Sequence, residues 1–261
     1  VGESIVVASE TCALESIGAT FVRDVLPGEV VVVDKSGMHS IDTHVGTKPK
    51  STCVFEYIYF ARPDSVIDGS SVTVARQRAG AFLALEHPVQ ADIVIGVPDS
   101  GIDAAIGYAH QSGIPYGLGF IKNKYIGRTF IQPTQADREN QVRIKLNPVA
   151  ATVRGKRVVL VDDSLIRGTT TAALGKELRD AGATEVHLRI ACPPTKHPCH
   201  YGVDFPSPKE LMAHQHSPAQ IRPILNMNSL GYLSLEGMTG IFAKEESGFC
   251  HACWSGEYIV K

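Results

Sequence analysis

Two adjacent acids follow directly on a run of four apolar residues. Asp162 and Asp163 come after Val158–Val161, and a stretch bearing hydroxyls and a glycine, residues 164–171, comes next. A buried parallel strand reads as a continuous apolar run, and ligands bind beyond the carboxyl ends of such strands. We therefore expect both acids to project into a binding cleft, where carboxylate oxygens suit sugar hydroxyls or a hard cation such as Mg²⁺.

The turn after the acids is typical of a phosphate site. Its backbone N–H groups, together with the start of a helix expected from Thr171 to Ala181, favour a dianionic phosphate, and threonine hydroxyls add donors. The alternative is an ordinary strand, turn and helix with two surface acids. The candidate binding residues in this turn are Ser164, Arg167, Gly168, Thr169, Thr170 and Thr171.

A second short loop repeats this pattern earlier in the chain. The segment Pro98-Asp99-Ser100-Gly101 follows the apolar run Ile93–Val97. Its small residues allow backbone N–H groups to approach a second anion, and the Ser100 hydroxyl suits a cation shared with Asp162 and Asp163. A plain Pro-Asp turn that caps a helix is the alternative.

A long polar loop, from Lys122 to about Gln141, concentrates basic groups. It includes Lys124 and Arg128 and leads on to Arg138 and Arg143. Loops this long are often lids, and a basic lid would screen an anionic leaving group and exclude water. A solvated basic loop is the alternative. The candidate catalytic residues of this lid are Lys122, Tyr125 and Arg128.

Cysteine spacing gives a further signal. Cys250 and Cys253 form a CxxC pair, and Cys53 and Cys199 are the other candidate ligands. Four thiolates can hold a [4Fe–4S] cluster or Zn²⁺, and spacing does not separate the two. Free buried thiols are the alternative.

These groups are expected to sit on a parallel sheet. Strands are predicted at 93–97, at 114–120, at 158–161 and at 185–191. A helix is predicted before the first strand, at 72–86, and another after it, at 102–111. Such alternation predicts βαβ units. Residues 1–47 instead predict antiparallel β structure, with β-rich runs at 4–8 and 29–34. Two short helices near the C-terminus are predicted from capping boxes at Ser207 and Ser217.

Bulk composition excludes several classes of protein. The net charge is −2, with 44% hydrophobic and 20% charged residues, which gives no reason to expect nucleic acid as a partner. No run of about 18 apolar residues predicts a membrane span, and the N-terminus does not resemble a signal peptide. We expect a soluble, cytoplasmic protein.

The segment 158–171 resembles the phosphoribosyl pyrophosphate (PRPP) signature of type I phosphoribosyltransferases. Segments 52–65, 127–133 and 197–204 are similar to those of the glutamine PRPP amidotransferase family, the committing enzymes of purine synthesis. This resemblance runs through essentially the whole chain. It implies an α/β phosphoribosyltransferase fold with a twisted, mainly parallel sheet and helices on both faces.

The resemblance also implies ligands and residue roles. Mg²⁺ is expected at Ser100, Asp162 and Asp163, the 5′-phosphate at 167–171, and the pyrophosphate at 99–101 with Lys122. The iron–sulfur branch of the family holds a structural [4Fe–4S] cluster. The positions matching its ligands are Cys53, Cys199, Cys250 and Cys253, whereas Cys12 and Cys192 fall outside the set.

One departure from the family is expected to matter. Family members carry an N-terminal glutaminase domain whose mature first residue is a cysteine nucleophile, and this chain begins with Val1-Gly2. We therefore expect residues 1–47 to be the antiparallel remnant of an Ntn-type glutaminase domain and 48–261 to be the phosphoribosyltransferase domain. The ammonia-producing half is then absent.

The predicted reaction is displacement of pyrophosphate from PRPP by ammonia, which gives 5-phosphoribosylamine. Ammonia or glutamine and purine nucleotide inhibitors are the other expected ligands, and a homo-oligomer, dimer or tetramer, is the expected assembly. Two alternatives stay open: a PRPP-binding regulator without catalysis, and an orotate or nucleobase phosphoribosyltransferase.

Overall fold

The structure is a computed structural model that describes residues 4–123, 146–203, 207–242 and 248–259. The strands are β1 Val30–Asp34, β2 Gly37–Ile41, β3 Ser51–Cys53, β4 Val66–Ile67, β5 Ser70–Ser71, β6 Ile93–Gly96, β7 Phe120–Lys122, β8 Leu146–Pro148, β9 Arg157–Asp162, β10 Glu185–Ile190, β11 Ser229–Tyr232 and β12 Gly248–Cys250. The helices are α1 Thr11–Ser16, α2 Val72–Glu86, α3 Gly101–Ser112, α4 Ala150–Val153, α5 Thr169–Asp180, α6 Met212–Gln215, α7 Pro218–Ile224, α8 Leu235–Thr239 and α9 Ala252–Ser255. A π-helical turn spans Glu56–Phe60 and a 3₁₀ turn spans Pro208–Glu210.

A four-stranded parallel sheet forms the centre, in the order β11-β10-β9-β6. The apolar run Val158–Val161 of β9 is fully buried between its two neighbours, which is why it lacks the polar alternation of a half-exposed strand. Helix α3 packs on β6 and β9, and α5 packs on β10. The predicted α/β fold with a parallel sheet is confirmed.

Helices α2 and α3 approach each other through glycines. A Cβ added at Gly80 would lie 1.8 Å from the carbonyl oxygen of Ala104, and one at Gly107 would lie 1.9 Å from that of Gln77. Any side chain would separate the two helices. The predicted bounds of α2 are confirmed, and α3 begins one residue before and ends one residue after its prediction.

The N-terminal segment matches its prediction only in part. Strands β1 and β2 form an antiparallel hairpin, as expected, with Val30 opposite Ile41. The β-rich run at 4–8 forms no strand, so that prediction is wrong, and a short helix, α1, follows it. Strands need a hydrogen-bonded partner, and in the described part of the chain none lies beside this run.

Other elements also differ from prediction. The run at 114–120 contributes one parallel bridge, Tyr116 with Val94, before β7 begins at Phe120 and pairs antiparallel with β8. Helix α5 begins two residues early because left-handed Gly168 caps it. Gln220 accepts a hydrogen bond from the Ser217 N–H, so that capping box is confirmed, whereas Ser207 precedes only a 3₁₀ turn.

None of the described helices has the length and apolar character that a membrane span requires.

Candidate functional site

The acid pair lies at the carboxyl end of the central strand β9. Asp162 and Asp163 are 7% and 6% exposed. The Asp163 carboxylate accepts hydrogen bonds from the hydroxyls of Ser100 and Ser164, each at 2.6 Å. Ser100 and Asp163 are 63 residues apart in the chain, so the fold joins the two predicted anion loops at one carboxylate.

Burial dominates the electrostatics of this pair. It raises the pKa of Asp162 well above its usual value, and the neighbouring Asp163 carboxylate raises it further. Two buried like charges are costly, so without a cation the Asp162 carboxyl retains its proton to higher pH. A divalent cation would offset both charges. Ser100, Asp162 and Asp163 offer oxygen atoms, which are the ligands that Mg²⁺ prefers.

The loop at 98–101 packs directly against β9. A Cβ at Gly101 would lie 2.7 Å from the Val161 carbonyl oxygen, so only glycine allows this approach. The Pro98–Asp99 peptide is cis. Lys122, at the end of β7, forms an ion pair with Asp99. The structure thus places Lys122 beside the predicted pyrophosphate loop.

The predicted phosphate turn leads into α5. Gly168 has φ +79°, a left-handed conformation that favours glycine, and no side-chain hydrogen bond caps the helix there. Thr169 and Thr170 are exposed, whereas Thr171 is 3% exposed. Arg167 is paired with Glu210 at 2.9 Å, a partner the sequence analysis missed. Binding of a phosphate by Arg167 would exchange that carboxylate for the ligand.

Arg76 is a buried cation beside the site that sequence reasoning also missed. The residue is 5% exposed, and its guanidinium donates hydrogen bonds to the carbonyl oxygens of Tyr57 and Ala61. Burial lowers its pKa, and the nearby Asp103 and Asp163 carboxylates oppose that effect. A cavity of about 10 Å³ touches Arg76, Ser100 and Asp163. The one sequence signal is an arginine on the apolar side of α2.

The four predicted cysteine ligands line one pocket of about 500 Å³. Cys53 and Cys250 lie directly opposite each other on the parallel strands β3 and β12, while Cys253 belongs to α9 and Cys199 to a loop. All six cysteines of the chain are free of disulfides. Cys12 and Cys192 are buried and do not line this pocket.

The four thiols around this pocket do not have the geometry of a metal site in this structure. In the described ranges, no three His, Cys, Asp or Glu side chains form a group that could hold a metal ion. Burial raises the pKa of Cys253 to about 12, and the charges of the other three pocket cysteines contribute to this rise. Burial also raises the pKa of Cys53. The number and chemistry of the donors fit a tetrathiolate centre, and the thiols would have to move together to ligate it.

Part of the predicted site lies outside the described residues. This applies to the candidate catalytic residues Tyr125 and Arg128 and to the lid residues Arg138 and Arg143. The described residues on either side of this segment belong to the antiparallel pair β7 and β8, where Lys122 lies opposite Leu146. The catalytic and binding roles assigned to all these site residues stay predictions.

Comparison with protein families gives one domain match. The phosphoribosyl transferase domain family matches residues 77–215, a range that contains both anion loops and the acid pair. Curated relatives called amidophosphoribosyltransferase come from Mycobacterium bovis, with 51% identity over 98% of this chain and 49% of the relative, and from Bacillus subtilis, with 52% identity over 98% and 55%. Another comes from Methanothermobacter thermautotrophicus, with 50% identity over 98% and 54%.

Two solved structures are similar over almost the whole chain. One, described as the allosteric regulatory enzyme of purine biosynthesis, has a TM-score of 0.86 and 52% identity over 96% of this chain and 54% of its own. The other is glutamine PRPP amidotransferase from B. subtilis complexed with ADP and GMP, with a TM-score of 0.85 and 51% identity over 96% and 56%. The chain spans about half the length of the relatives it matches.

Proposed function

Since this chain belongs to the phosphoribosyltransferase family and is homologous over 98% of its length to amidophosphoribosyltransferases, we propose that it carries their phosphoribosyl-transfer site. The proposed reaction is attack of ammonia on C1 of PRPP, which releases pyrophosphate and gives 5-phosphoribosylamine, the first committed step of purine synthesis. The hydrogen bond from Ser100 to Asp163 carries this proposal, because it brings two anion-binding loops to one buried acid pair.

Each part of the site has a distinct task in this mechanism. Backbone N–H groups at the start of α5 bind the 5′-phosphate, and Lys122 and the 99–101 loop bind the pyrophosphate. Ser100, Asp162 and Asp163 would hold Mg²⁺, which when bound would neutralise charge on the leaving group. Fixing PRPP in this way lowers the barrier to transfer, because attack by ammonia then needs only orientation and exclusion of water.

The molecule that accepts the phosphoribosyl group separates this proposal from its two alternatives, a nucleobase phosphoribosyltransferase and a regulator without catalysis. Incubation of the protein with PRPP and Mg²⁺ should release pyrophosphate with ammonia and not with orotate or hypoxanthine. Turnover with orotate or hypoxanthine alone would identify a nucleobase phosphoribosyltransferase. PRPP binding without turnover on any acceptor would identify a regulator and contradict the proposal.

We also propose that residues 1–47 form a unit separate from the phosphoribosyltransferase domain at 48–261 and belong to a glutaminase domain. Their β1–β2 hairpin is not joined to the central sheet. Apolar side chains of this unit are exposed, among them Val7 at 75% and Val22 at 79%. Glu10 attaches the unit to the rest of the chain by accepting the Arg62 N–H at 2.7 Å. Glutamine is then the proposed source of ammonia in the whole protein.

The remaining partners are proposed from the relatives. The B. subtilis enzyme is complexed with ADP and GMP, which supports purine nucleotides as inhibitors of this protein too. A homo-oligomer, dimer or tetramer, and a cytoplasmic location complete the proposal. We propose no nucleic-acid partner, because the net charge of −2 gives no electrostatic reason to expect one.

We propose further that Cys53, Cys199, Cys250 and Cys253 hold a [4Fe–4S] cluster. Such a cluster would link the C-terminal segment to β3 and to the 196–201 loop and would take no part in the reaction. Protein purified without air should show visible iron–sulfur absorbance, and Cys253→Ser should remove most of it, because a buried hydroxyl is a poor iron ligand. Cys192→Ser is the matched control and should retain the spectrum. A colourless wild-type protein that contains stoichiometric zinc would contradict the cluster.

A further inference from the structure

The C-terminal segment at 248–259 connects two parts of the chain that each carry a pocket cysteine. On one side, β12 pairs with β3 and sets Cys250 against Cys53. On the other side, the Cys253 carbonyl oxygen accepts the N–H groups of Lys196 and His197, both at 3.0 Å. The segment therefore determines how far Cys199, three residues beyond Lys196, lies from the other thiols.

Gly256 allows the segment to turn back over this loop. It has φ +79°, and a Cβ there would lie 3.1 Å from the His197 ring. The helix α9 ends at this left-handed residue, two positions before Tyr258.

Tyr258 contacts the Cys199 loop on both sides of the cysteine. Its hydroxyl donates to the Pro198 carbonyl oxygen at 2.7 Å, and its ring lies 4.7 Å from the His200 ring between centroids. The Tyr201 ring lies 6.1 Å away, and the Tyr201 N–H donates to Cys199 Sγ at 3.4 Å. The residues before and after Cys199 are thus both held by one half-buried side chain.

We propose that Tyr258 is the positioning residue of the four-cysteine pocket, which holds the 198–201 loop so that Cys199 can join the other three thiols on one metal centre. This rests on the proposed four-thiol site and extends it to a residue outside the ligand set. Cys199 is the one ligand that lies neither on the β3–β12 pair nor on α9. Ordering its loop in advance lowers the entropy cost of ligation.

Cobalt binding tests this role without relying on enzyme activity. Metal-free, reduced protein is titrated with Co²⁺, whose thiolate charge-transfer absorbance reports ligation, and the rate of metal release to a chelator is measured. Loss of an outer-shell contact typically costs about 10- to 100-fold in metal affinity. We expect that range for Tyr258→Ala and a smaller loss for Tyr258→Phe, which keeps the ring contact and removes the hydrogen bond.

Two controls separate positioning from general destabilisation. The unfolding midpoint of metal-free protein should be the same for wild type and Tyr258→Phe, and Tyr116→Phe, which removes a hydroxyl beside β6, should leave cobalt affinity unchanged. If the wild type binds no Co²⁺ through thiolates, the four-thiol site itself is wrong, and Tyr258 has no such role. If the wild type binds Co²⁺ and both Tyr258 variants match its affinity and release rate, only the role of Tyr258 is wrong.

Discussion

The double variant Asp162→Asn, Asp163→Asn should lose ammonia-dependent formation of 5-phosphoribosylamine, with kcat lowered about 10³-fold or more. Stabilisation of leaving-group charge by a bound cation is worth several kcal/mol, and each 1.36 kcal/mol is a factor of ten in rate. Asparagine keeps the shape of each side chain and removes the anionic oxygens. Pyrophosphate release under saturating PRPP and ammonia measures the effect.

The same variant should remain folded, which separates chemistry from stability. Burial and the neighbouring Asp163 carboxylate raise the pKa of Asp162, so replacing the pair also removes the cost of ionising a buried carboxyl group. The unfolding temperature is therefore expected to stay equal to that of the wild type or to rise. Asp180→Asn, at the exposed end of α5, is the control and should retain full activity. Retained turnover in the double variant would contradict the proposed Mg²⁺ site.

Gly80→Ala should lower the free energy of unfolding by about 3 kcal/mol, the upper part of the usual range for overpacking. The new methyl group would lie 1.8 Å from the Ala104 carbonyl oxygen, so α2 and α3 must separate. Because α3 begins at Gly101, its displacement should also move the Ser100 loop away from Asp163 and raise KM for PRPP. Urea denaturation and steady-state kinetics measure the two effects.

Gly240→Ala is the matched control for this prediction. Gly240 is exposed, has φ −69°, and would bring its Cβ no closer than 3.3 Å to a neighbouring atom. Its effect on unfolding should stay within about 0.5 kcal/mol. Equal stability of Gly80→Ala and Gly240→Ala would show that the close approach of α2 and α3 is not required.

Some of the site could be predicted because its signals are local. The apolar run of β9, the two acids and the turn rich in hydroxyls and glycine follow one another within 158–171, although α5 begins two residues before its predicted start. The bounds of α2 were predictable for the same reason, since Ser71 caps the helix and apolar residues recur at helical spacing. The run at 4–8 shows the limit, because β propensity without a partner strand produced no strand.

Other contacts of the site depend on residues far apart in the chain. Arg167 and Glu210 are 43 residues apart, and Arg76 contacts a carbonyl 19 residues earlier. Nothing in the spacing of these residues indicates their pairing. Tyr258, 60 residues from Pro198, likewise had no sequence signal.

The sequence by itself determined which chemical groups are available to this protein: a turn rich in hydroxyls and glycine, an acid pair, a basic loop and four thiols. Local hydrogen bonding and the periodic burial of side chains are sufficient to predict these groups, because both act within one turn or one strand. The tertiary structure decided which of these groups meet. Only the parallel pairing of β6 with β9 sets Ser100 on Asp163, and only the pairing of β12 with β3 sets Cys250 against Cys53. These contacts depend on how segments distant in the chain pack against each other. Because the whole core is closely packed, it determines both contacts at once.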